Sequence, residues 1–351
     1  MQTQLVNSDC IKHLKTLDDN IFDSCVTDPP YHLASIVKRF GPGQKGIMNQ
    51  DTKDGRNGPY HNIARGFMGQ VWDGGDIAFT TEIWKEVYRT LKPGAYLLAF
   101  SAPRNYHRMA IAIEDSGFEI RDQIMWIFGS GFPKSHNVGK QIDKKLGNTR
   151  IKTGQVKTHA RKGIAVAEER TAINAGSFGQ EVEEEITVGT SEWEGWGTAL
   201  KPAHEPIVMA RKPIDGSVAN NVLKHRTGAI NIDESRVELS EDDNLQLGRF
   251  PANLIHDGLE EEWAKYFYCS KASKKEKADT KHPTVKPVAL MRYLVKLVTP
   301  KQGIVLDPFA GTGTTGEACI LESKKYYLIE AKPSYFKDIE ARLNRYGGLG
   351  I

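Results

Sequence analysis

A glycine-rich segment near the C-terminal end of the chain constrains its fold most strongly. Residues 307–316 read Asp-Pro-Phe-Ala-Gly-Thr-Gly-Thr-Thr-Gly, follow a strand pattern and open a helical one. The spacing fits G-x-G-x-x-G, in which missing β-carbons let a ligand approach the backbone. A nicotinamide-binding domain would have the same glycines, but normally several more strands after them. Only 35 of the 351 residues follow Gly316, so the remaining strands must come from the N-terminal half.

Strand patterns alternate with helical ones in both end regions. Apolar runs predict strands over residues 4–8, 22–27, 95–100, 120–128, 207–210, 303–307 and 326–330. Apolar residues at helical spacing predict a helix from residue 81 to 91, one over 288–298 and one at the C-terminal end. This alternation favours an α/β fold with a mostly parallel sheet.

The composition is that of an ordinary globular protein, with 47 Lys and Arg against 44 Asp and Glu and 39% hydrophobic residues. It argues against disordered, collagen-like and disulfide-dense chains. No apolar run approaches the roughly 18 residues of a membrane span, and residues 1–9 lack the features of a signal peptide. We expect a cytoplasmic protein that does not associate with membranes. The net charge of +3 is too small to establish a polyanionic partner.

The four cysteines are scattered and include no C-x-x-C pair. They indicate neither a disulfide framework nor a zinc ribbon, so no metal site is predicted. Cys25 and Cys319 lie in apolar runs, and we expect them to be buried as small hydrophobic residues.

A second motif, Thr27-Asp28-Pro29-Pro30-Tyr31-His32, follows the strand pattern at 22–26. It is therefore predicted at a carboxyl end of the sheet, where α/β proteins bind ligands. The two prolines stiffen the turn and provide no amide donors. The Asp28 carboxylate and a proline carbonyl form an acceptor cluster that suits an exocyclic amine, while Tyr31 offers a face for stacking. The alternative is a proline turn that only terminates the strand.

Together the two motifs resemble those of the DNA amino-methyltransferases that use S-adenosylmethionine. The Asp-Pro-Pro-Tyr tetrapeptide matches their catalytic motif, and residues 307–313 match their cofactor loop. Because the catalytic motif comes first, the order resembles the circularly permuted β class. Further matches are Ser8-Asp9-Cys10, Leu91-Lys92-Pro93-Gly94, His204-Glu205-Pro206-Ile207 and His282-Pro283-Thr284-Val285-Lys286-Pro287. The resemblance implies a Rossmann-like methyltransferase sheet, mostly parallel with an antiparallel hairpin.

The resemblance also implies roles for individual residues. The catalytic residues would be Asp28, Pro29, Pro30 and Tyr31. The cofactor-binding residues would be Asp307, Phe309, Gly311 and Gly313 at the methionine part, Glu330 at the ribose, Asp9 and Cys10 at the adenine, Thr284 and Lys286 at the carboxylate end, and Asp28 beside them. For Lys286 the alternative is a solvated lysine. After Glu330 the sequence Ala331-Lys332-Pro333 departs from the more acidic or polar continuation expected of the family.

The activity implied is direct, in-line methyl transfer to the N6 amino group of a flipped adenine in double-stranded DNA. An Asp-first tetrapeptide is the usual adenine form, whereas cytosine-N4 enzymes more often begin with Ser. Cytosine-N4 methylation, an RNA or protein methyltransferase and a non-enzymatic DNA-binding module remain alternatives. Methylation at cytosine carbon-5 would need a nucleophilic cysteine, commonly after a proline, and no cysteine here follows one.

The segments outside these motifs are predicted to bind DNA. We expect a core in three parts (1–138, 201–213, 281–351), a mobile cover at 40–75, a basic and acidic insertion at 139–200 and a target-recognition region at 214–280. Phosphate contacts are expected from Lys144, Lys145, Arg150 and Lys152, with a lysine cluster at 271–277 as the second choice. Solvated surface is the alternative for the charged runs, and a disordered surface loop is the alternative for residues 40–75. The target sequence, the choice between monomer and homodimer, and the existence of a restriction endonuclease partner stay open.

Overall fold

The computed structural model describes residues 3–30, 76–128, 135–159, 181–237, 248–256 and 285–346. The chain divides into two compact units, one of Met1–Gly129 with Ala203–Ile351 and the other of Ser130–Pro202. The predicted cover at 40–75 and the lysine cluster at 271–277 lie outside the described residues. In the ranges given above, no helix has both the length and the apolar character needed to cross a membrane.

The described residues form ten strands and eight α-helices. The strands are β1 (Gln4–Asn7), β2 (Phe22–Thr27), β3 (Leu91–Phe100), β4 (Glu119–Ile127), β5 (Ile151–His159), β6 (Glu181–Val188), β7 (His204–Arg211), β8 (Leu254–His256), β9 (Ile304–Asp307) and β10 (Lys325–Glu330). The helices are α1 (Cys10–Leu14), α2 (Thr81–Thr90), α3 (Tyr106–Glu114), α4 (Val138–Leu146), α5 (Val218–His225), α6 (Val288–Val298), α7 (Thr314–Leu321) and α8 (Pro333–Leu343). Short 3-10 turns lie at Ile77–Phe79, Asp233–Ser235 and Asn344–Tyr346.

The first unit is built on one eight-stranded sheet with the order β1-β10-β9-β2-β3-β7-β4-β8. Neighbouring strands are parallel except at β7, which is antiparallel to both β3 and β4. The α/β fold with a mostly parallel sheet is therefore confirmed, and β4 with β7 forms the expected antiparallel pair. As anticipated from the short chain after the glycine loop, β1 to β4 of the N-terminal half belong to the same sheet, but β7 and β8 come from the second half of the chain.

Helices cover both faces of this sheet. Successive strand residues point to opposite faces, and the central strands carry apolar side chains on both. On one face, Leu98 and Phe100 of β3 pack in a core with α6, α7 and α8. On the other, Leu97 and Ala99 of the same strand pack with α1, α2 and α3. A central strand buried on both faces reads as a continuous apolar run, which is why residues 95–100 of β3 were predictable from sequence.

Two parts of the first unit differ from the sequence-based expectation. Strand β3 begins at Leu91 rather than at residue 95, because Leu91 already pairs with Phe22 of β2 and the Pro93 carbonyl accepts hydrogen bonds from Asn221 and Thr227. In the segment 214–280, for which no helix or strand was predicted, the chain forms α5, which supplies Asn221, and β8, which pairs in parallel with β4.

The second unit contains α4 and an antiparallel hairpin of β5 and β6. Asn137 caps α4 by accepting a hydrogen bond from the Lys140 amide, and Gly147 ends it in the left-handed conformation. The Arg150 guanidinium bonds the buried Asp143 carboxylate and both carboxylate oxygens of Glu194. The prediction that Arg150 contacts phosphate is therefore wrong, because these carboxylates already take its donors within the unit.

Candidate active site

The carboxyl ends of four adjacent parallel strands bring the predicted site residues together. In the order β1-β10-β9-β2, these ends carry Asp9, Glu330, Asp307 and Asp28. The four carboxylates come from both ends of the chain, yet the strand order places them side by side along one edge of the sheet. A parallel α/β sheet binds ligands at this edge.

Asp307, the last residue of β9, is 2% exposed and held by three hydrogen bonds. The hydroxyls of Thr27 and Thr315 donate to its carboxylate at 2.7 and 2.6 Å, and the Phe309 amide donates at 3.1 Å. Burial raises the pKa of Asp307 to about 6, although the bonds from Thr315 and Thr27 oppose this shift. A positively charged group placed next to this carboxylate would favour its ionised form.

The glycine loop between β9 and α7 contains two residues in the left-handed conformation, Gly311 at φ +56° and Gly313 at φ +78°. Gly311 lines the cavity described below, whereas Gly313 does not. A β-carbon on Gly313 would lie 2.7 Å from Ile339 of α8. The missing side chain of Gly313 therefore allows close packing of the loop against α8, and its contact with the cofactor stays a prediction.

Glu330, at the end of β10, is tied to the glycine loop by backbone hydrogen bonds. The Gly311 amide donates to Oε2 at 2.9 Å and the Lys332 amide to Oε1 at 2.8 Å. Burial raises the pKa of Glu330, while these two bonds act in the opposite direction. Because only the backbone of Lys332 is used, the unexpected Ala331-Lys332-Pro333 sequence is compatible with a positioned Glu330.

Asp28 lies beside a buried lysine. The Lys286 ammonium group donates to Oδ2 of Asp28 at 2.6 Å and lies 3.2 Å from Oε2 of Glu205. It also lies 4.7 Å from the ring centre of Phe100. Burial lowers the pKa of Lys286, but Asp28 and Glu205 outweigh it and the net pKa is raised. Lys286 is therefore a buried cation and not a solvated lysine, and its contact with the cofactor carboxylate stays a prediction.

The reversed direction of β7 brings Glu205 to this edge. Since β7 runs antiparallel to β3, its amino end lies where β3 ends, and the Ser101 amide bonds the Pro206 carbonyl at 2.8 Å. No role was predicted for Glu205, although it lies in the matched motif His204-Glu205-Pro206-Ile207. The motif was the available signal, whereas the direction of the strand was not recognisable from a short apolar run.

A cavity of about 240 Å³ opens at this edge of the sheet. Its wall is formed by carboxylates, small loop residues and apolar side chains. Its lining includes the predicted residues Asp9, Cys10, Asp28, Pro30, Lys286, Asp307, Phe309, Gly311 and Glu330, together with Ile77, Met291 and Ile329. Tyr31 and Thr284 lie outside the described residues, and Pro29 is described but does not line the cavity.

The described cysteines are unsuited to nucleophilic chemistry. Burial raises the pKa of the Cys10 thiol, which lines the cavity, to about 12. Cys25 and Cys319 are fully buried, as predicted, and burial raises the pKa of each. These thiols stay protonated near neutral pH, so none of the three is activated as a nucleophile.

Comparison with known proteins identifies the family. The family model for DNA methylases that act on N6 or N4 amino groups matches residues 22–341. The chain therefore belongs to this DNA methylase family. It is a DNA methyltransferase that uses S-adenosylmethionine as its cofactor, as the two motifs predicted.

Individual relatives align over most of their length. The chain is 27% identical over 341 residues to the Type II methyltransferase M.HindIII of Haemophilus influenzae, covering 89% of this chain and 85% of that protein. It is 23% identical to the Type II methyltransferase M.HpaI of Haemophilus parainfluenzae, covering 98% and 75%. The crystal structure of an M1.HpyAVI–SAM complex has a TM-score of 0.45 at 17% identity and covers 97% of this chain and 99% of that one.

The residues around the cavity fit this cofactor. S-adenosylmethionine has a positive sulfonium and a positive ammonium group, ribose hydroxyl donors and a flat adenine ring. The cavity offers the Asp307 and Glu330 carboxylates for positive or donor groups, and Phe309 and Ile329 as apolar surface. The left-handed loop at Gly311 keeps a β-carbon away from the same wall.

Proposed function

We propose that the protein methylates the N6 amino group of adenine in DNA by direct transfer to a flipped base. One observation carries the proposal: the Asp28 carboxylate and the predicted cofactor residues Asp307 and Glu330 line one cavity. An acceptor for an amine and acidic groups for a cationic methyl donor are therefore close enough to act on the same reaction. The aspartate at the first position of the tetrapeptide favours adenine over cytosine.

The proposed role of Asp28 follows from the chemistry of an aromatic amine. Its nitrogen is a weak nucleophile because the lone pair is delocalised into the ring. We assign one amino hydrogen to the Asp28 carboxylate and the other to the Pro30 carbonyl. Two fixed acceptors favour a more tetrahedral nitrogen and hold it in line with the methyl group. Asp28 is suited to this task because Lys286 fixes its carboxylate.

We assign the cofactor-binding roles as the family resemblance implies. Asp307 and Phe309 would hold the methionine part, Glu330 the ribose, and Asp9 and Cys10 the adenine. The bound cofactor would supply an electrophilic methyl group on a sulfonium sulfur. Asp9 has a structural task as well, because its carboxylate accepts the Lys12 amide at 2.9 Å at the start of α1.

Reaching the amine of a base in a duplex requires the base to leave the stack, at a cost of a few kcal/mol. We assign stacking in the active site to Tyr31, which follows Asp28 by three residues. Phosphate contacts are assigned to Lys144 and Lys145, which are exposed in the last turn of α4. As its relatives are Type II methyltransferases, we further propose that the enzyme protects DNA within a restriction–modification system.

Nucleoside analysis tests the reaction. Unmethylated duplex DNA is incubated with cofactor labelled in the methyl group, digested and separated. We expect the label in N6-methyldeoxyadenosine and its loss with the Asp28→Ala variant. Label in N4-methyldeoxycytidine would replace adenine by cytosine as the target, and label only in added RNA or protein would overturn the assignment to DNA bases.

A further inference from the structure

The charges around Lys286 form a continuous chain from the sheet to the catalytic motif. Glu205 at the start of β7 lies 3.2 Å from the Lys286 ammonium group, which in turn donates to Asp28 at 2.6 Å. The Lys286 side chain is 7% exposed, while the two carboxylates are 24% and 23% exposed. A buried cation between two carboxylates has its position fixed from both sides.

From this geometry we propose that Glu205 is a positioning residue for methyl transfer, acting through Lys286 to fix the orientation of the Asp28 carboxylate. The inference rests on the proposed role of Asp28 as the acceptor for the target amine. Glu205 restrains the ammonium group, and the ammonium group restrains Oδ2 of Asp28. The plane of the carboxylate, and hence the direction from which it accepts an amino hydrogen, is then set before DNA binds.

The surroundings of Lys286 support a fixed and protonated ammonium group. Strand β3 places the Phe100 ring against it, and the residues before α6 hold its backbone in a buried stretch. Among the described residues, the charged groups next to it are Asp28 after β2 and Glu205 of β7, and Asp28 in turn interacts electrostatically with Asp307 of β9. Since both facing carboxylates raise the pKa of Lys286, the ammonium group donates protons in hydrogen bonds and does not accept one from the substrate.

The first test is Glu205→Gln in the full-length protein, which keeps the size of the side chain and removes its charge. We expect the single-turnover methylation rate to fall about tenfold, less than the roughly 100-fold cost of losing a directly acting group. The cofactor Kd measured by calorimetry should not change. The control is Glu119→Gln, because Glu119 also pairs with a cation of β7, Arg211, but at the opposite end of that strand. This control should keep the wild-type rate.

A double-mutant cycle distinguishes positioning from a general structural effect. If Glu205 acts through Lys286, then Glu205→Gln should cause no further loss in a Lys286→Met background. An equal tenfold loss in both backgrounds would overturn the proposal, as would a wild-type rate for Glu205→Gln or a weakened cofactor Kd. Thermal unfolding of each variant shows whether it is folded.

The pH dependence of the methylation rate distinguishes positioning from a loss of stability, because a less stable protein would not shift the pH at which the rate falls. Without Glu205, Lys286 loses one of the two charges that raise its pKa. The alkaline fall in rate expected from loss of the Lys286 proton should therefore begin at a lower pH in Glu205→Gln than in the wild-type enzyme. An unmoved alkaline limb would contradict the proposal. A wild-type enzyme that labels no DNA base would instead remove the proposed function, so the two failures are distinguishable.

Discussion

Ion pairs of the same chemistry have different surroundings in the two units. At the carboxyl edge of the first unit, Lys286 is 7% exposed between Asp28 and Glu205. In the hairpin of the second unit, Lys152 and Glu185 form a pair at 70% and 48% exposure. An exposed pair contributes about 0–1 kcal/mol to stability, whereas breaking a buried one costs roughly 3–5 kcal/mol. The position of a lysine in the fold therefore indicates its role better than the number of charged residues around it in the sequence.

The largest expected effect is at the carboxyl edge. Asp28→Ala should lower the methylation rate by about 100-fold or more, because a positioned acceptor is lost. Cofactor binding, measured by calorimetry, should largely survive. Asp18→Ala, an exposed aspartate of the same unit, is the control and should have the wild-type rate. Near-normal turnover by Asp28→Ala would show that the catalytic acceptor is another group.

A second test compares two left-handed glycines, one in each unit. Gly311→Val should raise the cofactor Kd by about tenfold or more, because the side chain costs about 1–2 kcal/mol at this φ and enters the cavity wall. Gly147→Val has a similar backbone conformation at φ +73°, with open space around the new β-carbon. It should be strained to a similar degree and bind cofactor normally. Normal binding by a folded Gly311→Val protein would place the cofactor elsewhere.

The pH dependence of cofactor binding depends on Asp307. Its pKa in the free protein is raised to about 6, and a cationic cofactor favours the ionised form and lowers that pKa. The cofactor Kd should therefore be constant above about pH 6 and rise by up to about tenfold for each pH unit below it. Calorimetry from acidic to neutral pH measures this. The Asp307→Asn variant should bind weakly without this dependence, and an identical profile in the variant would assign the titration to another group.

The smallest effect on turnover is expected in the second unit. Neutralising Lys144 and Lys145 with glutamine should weaken binding to all DNA sequences alike and reduce the slope of log affinity against log salt by about two. Turnover at saturating DNA should not change. Lys85→Gln is the control, since Lys85 is an exposed lysine of α2 in the first unit, and the predicted phosphate contact of Lys152 stays open because its pair with Glu185 is exposed. An unchanged slope in the double variant would favour solvated surface and direct attention to the lysines at 271–277.

The sequence was most informative where local pattern and tertiary position agree. A short strand pattern followed by Asp-Pro-Pro located β2 and Asp28, and apolar residues at helical spacing located α6 with its observed bounds. Glu330 was found because it ends a buried strand two elements from the C-terminal end. Asp28 and Glu330 both lie at the carboxyl end of a strand, and the end of a strand is recognisable from the sequence pattern.

The features that could not be predicted from the sequence depend on contacts between segments that are distant in the chain. Glu205 reaches the site only because β7 is reversed, and no local pattern encodes strand direction. From the sequence, Arg150 could not be distinguished from the other cations of its basic segment. Its partners Asp143 and Glu194 are brought to it only by the fold. Gly313 was predicted to contact the cofactor by family resemblance, and the motif gave no sign that it also packs closely against Ile339 of α8.

The antiparallel pair of β4 and β7 also governs how the chain can vary in length. Ile127 pairs with His204, and the Phe128 amide bonds the Ala203 carbonyl at 2.9 Å, so the ladder holds both ends of the intervening segment. Because closing a longer loop costs only about 0.6 kcal/mol for each doubling of its length, this junction tolerates segments of very different size. The length of the sequence between residues 129 and 203 can therefore change while the strands that lead to Asp28, Asp307 and Glu330 keep their register.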